Sequence, residues 1–313
     1  MKKASTTSTW TALIAVYIFW GSTYLAIRFA VETIPPFLMA GSRFLVAGII
    51  MYVWRRAAGD RRPTRLEWRS TAIVGLLLLT FANGTVSWAE QTVPSGIAAL
   101  LVGTVPLWMV LIEGLRPHGT PLTRRAILGV SVGFVGVIVL VGPVKSYGGQ
   151  PLNLVGAGLI VFAAILWAIG SVYSRSAPMP ESSLLGTGME MLVAGSGLLI
   201  LGTVAGQWQQ LNLSAVTTQS WMGLLYLIVC GSLIGYTAYT WLLRSAPISL
   251  ASTFAYVNPL IAVILGSLLG QEPLTPRIAL AAVVIIGAVV LISTTRAPRR
   301  KLEPAYAVVG KEE

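Results

Sequence analysis

Long apolar runs alternate with short polar connections along nearly the whole chain. A helix needs roughly 20 consecutive apolar residues to cross the hydrocarbon core of a bilayer. The pattern therefore predicts an all-α membrane protein with ten transmembrane helices. We place them at residues 10–30, 36–54, 69–89, 94–114, 124–142, 153–173, 184–205, 219–242, 248–269 and 276–294.

The second half of this pattern repeats the first. The stretch V-P-S-G-I-A-A-L-L-V-G-T-V-P-L begins at Val93, and the similar A-P-I-S-L-A-S-T-F-A-Y-V-N-P-L begins at Ala246, 153 residues later. Such internal similarity is typical of a duplicated architecture. Further matches, at an offset of 147 residues, are Trp20 with Trp167, Arg28 with Arg175 and Leu45–Gly48 with Leu192–Gly195.

The repeat defines the predicted domain organisation. We assign residues 10–142 to a first repeat of five helices, residues 153–295 to a second, and residues 296–313 to a disordered cytoplasmic tail. Because five is an odd number, the second repeat must enter the membrane upside down relative to the first. Two inverted five-helix repeats are the plan of many secondary transporters.

Basic residues set the predicted orientation. With the N-terminus inside, eighteen of the 22 Lys and Arg residues lie in inner segments, whereas only Arg28, Lys145 and Arg277 lie outside. Lys and Arg accumulate in cytoplasmic loops of membrane proteins, so both termini are predicted to be cytoplasmic. The net charge of +11 resides in short loops beside apolar runs, which predicts a lipid bilayer as partner and no nucleic acid.

Composition and motifs argue against a soluble protein and against an enzyme. Only 11% of the residues are charged, compared with roughly 25% in soluble domains. His118 and Cys230 are single, and the sequence has no H-E-x-x-H and no paired acidic motif that could hold Mg²⁺ for prenyl or phosphoryl transfer. We predict no catalytic residue, no metal site and no cofactor. A membrane-embedded enzyme or lipid-handling protein remains the alternative class.

Aromatic and weakly polar residues recur at helical spacing within the predicted spans. One interpretation is that they line a substrate cavity; the other is that they serve helix packing and interfacial aromatic belts. For Asn258 the alternative is a bond to backbone freed by Pro259. The candidate substrate-binding residues are Trp20, Tyr24, Asn83, Ser87, Trp167, Ser171, Tyr236, Tyr239, Tyr256 and Asn258.

Two prolines lie in the middle of predicted spans, and two charges lie inside otherwise apolar spans. Pro106 and Pro259 each remove a helix hydrogen bond, which predicts helix breaks that face a cavity. Arg43 and Glu190 occupy equivalent positions of the two repeats. Either they meet as an ion pair whose protonation couples transport, or each is bound separately, Arg43 by backbone carbonyls and Glu190 by hydroxyls such as that of Thr187. We expect Glu90, Glu113 and Glu272, at span ends, to be solvated.

Glycine spacing predicts close helix packing. Gly188, Gly195 and Gly202 recur every seven residues, and Gly129 and Gly133 form a G-x-x-x-G motif. Such motifs let two helices approach closely. For Gly129 and Gly133 the interpretations are packing within the chain or a homodimer interface.

Several motifs resemble those of one family. They are W-G-S-T-Y at Trp20, R-F-L-V-A-G at Arg43, P-S-G-I-A-A at Pro94, A-Y-V-N-P at Ala255 and G-Q-E-P-L at Gly270. The chain resembles the EamA family of the drug/metabolite transporter superfamily over residues 10–295, and within it the YedA-like exporters. The resemblance implies ten helices, a bacterial inner membrane location and efflux of amino acids, metabolites or drugs, often coupled to protons. We therefore expect a secondary exporter that works by alternating access.

Overall fold

The computed structural model describes residues 6–116, 123–141, 152–245 and 253–293. These residues form helices joined by short connections, and none of them forms a strand. The long helices, numbered α1 to α10 in chain order, are Thr6–Ala30, Pro36–Ala57, Arg65–Ala89, Ser95–Leu115, Arg124–Val141, Leu154–Ser174, Ser183–Val204, Thr218–Leu242, Phe254–Leu269 and Pro276–Ser293.

The first eight helices are long and apolar enough to cross a membrane, whereas α9 and α10 contain shorter apolar segments, Val257–Leu269 and Pro276–Leu291. The predicted all-helical class and eight of the predicted spans are thus confirmed. The start of the ninth predicted span, at 248–252, and the predicted tail, at 296–313, lie outside the described residues.

Polar residues fix where several helices begin. Thr64 and Glu67 form a capping box at the start of α3, and the side chains of Asn153 and Ser182 accept N–H groups at the starts of α6 and α7. Each cap satisfies N–H groups that the first helical turn leaves unpaired. Before α3, the guanidinium of Arg55 hydrogen-bonds Asp60 at 2.6 Å and lowers the pKa of that carboxyl.

Three helices widen into π turns near their middles. The π segments are Val16–Trp20 in α1, Leu76–Asn83 in α3 and Leu227–Tyr236 in α8. The last two end at Asn83 and Tyr236, which are separated by 153 residues, the offset between the similar sequences of the two halves. A π turn adds a residue to the helical turn and is frequent at functional sites, so these segments turn candidate side chains toward the bundle centre.

The predicted helix breaks at Pro106 and Pro259 have different outcomes. Helix α4 is interrupted at Gly103 and Thr104, and Pro106 lies at the start of its second half. Helix α9 instead continues through Pro259, so the predicted break there is wrong. A proline removes one hydrogen bond and does not force a break. In α4 the interruption lies at Gly103. This glycine packs against the ring of Pro259 on α9, because a Cβ at Gly103 would lie 3.0 Å from Cγ of Pro259.

Glycines join α2 and α7 backbone to backbone. A Cβ added at Gly48 would lie 2.7 Å from the nitrogen of Leu192, and one at Gly188 would lie 2.9 Å from the nitrogen of Tyr52. Gly195 meets the backbone of Leu45 in the same way. These contacts pair early residues of one helix with late residues of the other, so α2 and α7 are antiparallel. We call this contact the glycine seam.

The G-x-x-x-G motif of α5 also packs within the chain. A Cβ at Gly133 would collide with the side chain of Leu107 on α4, and one at Gly136 would lie 2.7 Å from Ile285 on α10. Gly129 is buried as well. Intramolecular packing, the first interpretation of this motif, thus accounts for Gly133.

The glycine seam generates a stability prediction. In Gly195→Ala the new methyl group has no space against the backbone of Leu45, so the helices must separate. We expect a loss of about 1–3 kcal/mol, as for other overpacked cores, measured as a lower Tm of the purified protein in detergent. The control is Gly158→Ala, because nothing lies within 4 Å of a Cβ at Gly158. Equal Tm values for the two variants would contradict the packing role.

Candidate functional site

A small cavity lies at the centre of the helix bundle. Its volume is about 70 Å³, and α1, α2, α3, α4, α6, α8 and α9 all contribute to its wall. Most of the lining is aliphatic or aromatic. The predicted site residues on this wall are Trp20, Tyr24, Arg43, Asn83, Trp167, Tyr236, Asn258 and Pro259.

An aromatic cluster centred on Trp20 forms one boundary of the central cavity. The ring of Trp20 lies 4.8 Å from that of Tyr239, 5.5 Å from that of Phe254 and 5.8 Å from that of Trp167. The indole N–H of Trp20 donates to the carbonyl of Gly231 at 3.1 Å, which fixes the ring against α8. Edge-to-face contacts of this kind add to the energy of burial.

Beyond this cluster is a larger cavity, which we call the vestibule. Its volume is about 600 Å³. Tyr236 lines both the vestibule and the central cavity. The vestibule lies at the end of the bundle that contains Asp60, which we call the Asp60 end. Its other lining residues include Ser171, Ser174, Arg175, Glu181, Glu190, Tyr239 and Thr240.

The opposite end of the bundle, which contains Glu272, is closed by polar contacts. The Glu272 carboxylate accepts the backbone N–H of Ser95 at 2.7 Å and that of Gly96 at 3.0 Å. Asn153 at the start of α6 donates to Thr92 at 3.0 Å. These contacts join the start of α4 to the loop after α9 and to α6. We call this the Glu272 end; in this conformation the wide cavity is at the Asp60 end.

Three polar atoms at the central cavity have no hydrogen-bond partner among the described residues. They are Nη1 of Arg43 and the Oδ1 atoms of Asn83 and Asn258. Arg43 is held by its Nε, which donates to Ser232 at 2.8 Å, and by Phe44, whose ring lies 4.6 Å below the guanidinium. Buried polar groups normally have partners, so these atoms are available to a bound polar group.

Arg43 and Glu190 have separate partners. Arg43 donates to Ser232, which lies in the second half of the chain, and Glu190 accepts a hydrogen bond from the Tyr236 hydroxyl. In this conformation the first predicted arrangement, a mutual ion pair, is not formed. The second predicted arrangement, separate binding, named backbone carbonyls for Arg43 and the Thr187 hydroxyl for Glu190. In the structure Arg43 donates to the hydroxyl of Ser232, and the Thr187 hydroxyl bonds to that of Thr240.

The remaining candidates lie in several places. Ser171 and Tyr239 line the vestibule, whereas Ser87 is buried and lines neither cavity. The side chain of Tyr256 lies outside the described residues. Among those that are described, no group of three His, Cys, Asp or Glu side chains could hold a metal ion.

Sequence reasoning missed two residues. Phe254 belongs to the aromatic cluster, and its position one turn before Asn258 was the available signal. Glu90 was expected to be solvated, yet its exposed fraction is 0%. Glu90 lies in the turn at residues 90–93 that joins α3 to α4. Sequence position at a span end did not reveal this.

The comparisons with known proteins decide the family. The profile of the EamA-like transporter family matches the chain twice, at residues 8–142 and 154–294. The chain belongs to the EamA-like transporter family. The uncharacterized inner membrane transporter YedA of Escherichia coli (strain K12) is 42% identical over 301 residues, covering 96% of this chain and 94% of YedA.

More distant matches also extend over almost the whole chain. The uncharacterized transporter YvbV of Bacillus subtilis (strain 168) is 24% identical, covering 98% of this chain and 97% of YvbV. A solved crystal structure superposes with a TM-score of 0.64 at 19% identity, covering 92% of this chain and 96% of that chain. The fold of that solved structure therefore extends over almost the whole chain.

The two cavities generate an accessibility prediction. Cys230 is the single cysteine, so Ser174→Cys and Asn83→Cys can each be made in a Cys230→Ser background. A hydrophilic maleimide should modify the vestibule thiol at position 174 at least about tenfold faster than the enclosed thiol at position 83, because thiol reactivity follows access. Mass spectrometry of the purified protein measures both rates. Equal rates would contradict the separation of the two cavities.

Proposed function

We propose that this protein is a secondary active exporter that moves small metabolites, amino acids or drugs across the inner membrane by alternating access. The observation that carries the proposal is the central cavity, which lies between an aromatic cluster and a closed end. A transporter of this type exposes one site to each side in turn. The vestibule at the Asp60 end and the closed Glu272 end support one of the two required conformations.

The proposed topology has ten transmembrane helices in two inverted repeats, with both termini in the cytoplasm. The antiparallel glycine seam supports it, because α2 and α7 are equivalent helices of the two repeats. The Lys and Arg distribution supports the orientation. In this topology the Asp60 end faces the cytoplasm, and the vestibule is the entry for the substrate.

The lining of the central cavity supports a substrate with an apolar body and one polar group. Aromatic and aliphatic side chains would contact the body, while Arg43, Asn83 and Asn258 would bind the polar group. Ligand sites usually measure about 300–1,000 Å³, far more than the 70 Å³ here. Substrate entry from the vestibule therefore requires the aromatic cluster around Trp20 to move.

Transport by purified protein tests the proposed function. A panel of amino acids and apolar drugs is first screened for thermal stabilisation, since a ligand that binds only the folded state raises its stability. A stabilising compound should then be transported in proteoliposomes. Stabilising compounds that are chemically converted rather than transported would favour the alternative, a membrane-embedded enzyme.

Two variants, each with one tryptophan replaced by alanine, test whether the central cavity is the substrate site. Trp167→Ala removes one wall of the central cavity and should reduce the transport rate about tenfold or more, as for other aromatic anchors. Trp221→Ala is the control, because Trp221 is 47% exposed and lies on the outer surface of the bundle. Rates are compared per amount of folded protein. Similar rates for the two variants would remove Trp167 from the site.

Reporter fusions test the topology. A cytoplasm-active reporter should be active at both the N- and C-termini, since two five-helix repeats place the termini on the same side. Periplasmic activity at either terminus would contradict the inverted arrangement.

A further inference from the structure

Glu90 is a carboxyl group with unusual surroundings. It follows directly after α3, and its exposed fraction is 0%. Both of its carboxyl oxygens lack a hydrogen-bond partner among the described residues. An ionised carboxylate buried in this way is strongly unfavourable, and such groups normally become neutral. The surroundings of Glu90 therefore fit the protonated acid in this conformation.

Arg28 bonds to the main chain of Glu90 and not to its carboxyl. Nη1 of Arg28 donates to the main-chain oxygen of Glu90, at 2.7 Å, and so helps to fix the turn. The groups that act on the carboxyl are Tyr24 and Arg28 of α1, Arg43 of α2 and Glu272 of the loop after α9. The nearby starts of α4 and α6 present only uncharged groups. Burial raises the pKa of Glu90 well above its ordinary value, the Glu272 charge raises it further, and the two arginines oppose this.

Glu90 lies between the central cavity and the closed end. Val86, one helical turn before it, lines the central cavity, as do Tyr24 and Arg43. Five residues after it, the chain reaches Ser95, whose N–H binds Glu272 and joins α4 to the second repeat. If Glu90 lost its proton, its negative charge would therefore lie between the central cavity and the contacts that close the Glu272 end.

We propose that Glu90 is the proton-binding site of this transporter, and that its protonation permits the Glu272 end to close. The proposal rests on the proposed export function. With the Glu272 end open, Glu90 takes a proton from the outer water, forming an O–H bond, and the neutral acid can then be buried. The O–H bond then breaks by proton transfer to water that enters from the vestibule through the central cavity, and the proton passes to the cytoplasm. The carboxylate that remains favours an open, hydrated Glu272 end.

The sign of the pH dependence follows from linkage. A carboxyl that is neutral in the closed form and ionised in the open form favours closure at low pH. As the pH rises, the ratio of open to closed protein increases by up to about tenfold per pH unit when one proton is released. Closure of the Glu272 end is therefore expected to weaken as the pH rises, with no substrate present.

A labelling experiment tests the proton site without transport. Ser95→Cys in the Cys230→Ser background places a thiol under the Glu272 contact, where the native side chain is 0% exposed. A methanethiosulfonate reagent is applied from pH 5.5 to 8.5, and each rate is divided by that of the unfolded protein at the same pH. The corrected rate should increase with pH in this parent and remain low when Glu90→Gln is added. An unchanged increase in Glu90→Gln would overturn the proposal.

Two further variants sharpen the result. Glu113→Gln is the matched control, because Glu113 lies at the Asp60 end, where it pairs with Arg116; it should keep the pH-dependent increase. Glu190→Gln separates the two buried carboxyls. If Glu190→Gln abolishes the pH dependence and Glu90→Gln retains it, the site is Glu190 and the proposal is wrong.

Proteoliposomes provide the second readout. If the wild-type protein exports the stabilising compound faster under an inward proton gradient, Glu90→Gln should lose that acceleration. Retained acceleration would overturn the role of Glu90. Absence of any transport by the wild type would instead contradict the proposed export function, and the labelling result would still decide whether Glu90 controls the Glu272 end.

Discussion

The glycine seam between α2 and α7 is the contact on which the rest of the bundle depends. Side chains are absent where the two backbones meet, so the helices touch main chain to main chain through Gly48, Gly188 and Gly195. In a membrane, close packing and not the hydrophobic effect holds helices together. The seam joins the two halves of the chain at their centre. The cavities and their polar contacts lie around it.

Polar groups are concentrated where the two halves meet. Arg43 of the first half donates to Ser232 of the second, and Glu272 of the second accepts from Ser95 of the first. Buried charge in a membrane is expensive and usually functional. The distribution is also asymmetric, because the two ends of the bundle use different residues. An arrangement with one closed end and one wide vestibule follows from that asymmetry.

The all-helical class and eight of the spans were predictable from the sequence, because the length of an apolar run depends on the bilayer and not on details of packing. The same applies to Trp20, Asn83, Trp167 and Tyr236, which helical periodicity placed on inward faces. The helix through Pro259 and the burial of Glu90 were not predictable. Each depends on the path of neighbouring backbone, which a single sequence does not encode locally.

Paired distance measurements test alternating access about the glycine seam most directly. Spin labels at Thr92 and Leu274 report on the Glu272 end, and labels at Ser176 and Ser245 report on the Asp60 end, in each case in the Cys230→Ser background. Raising the pH should lengthen the first distance and shorten the second within the same pH range. If both distances lengthened together, or if one changed while the other stayed fixed, the two ends would not be coupled and the account would be wrong.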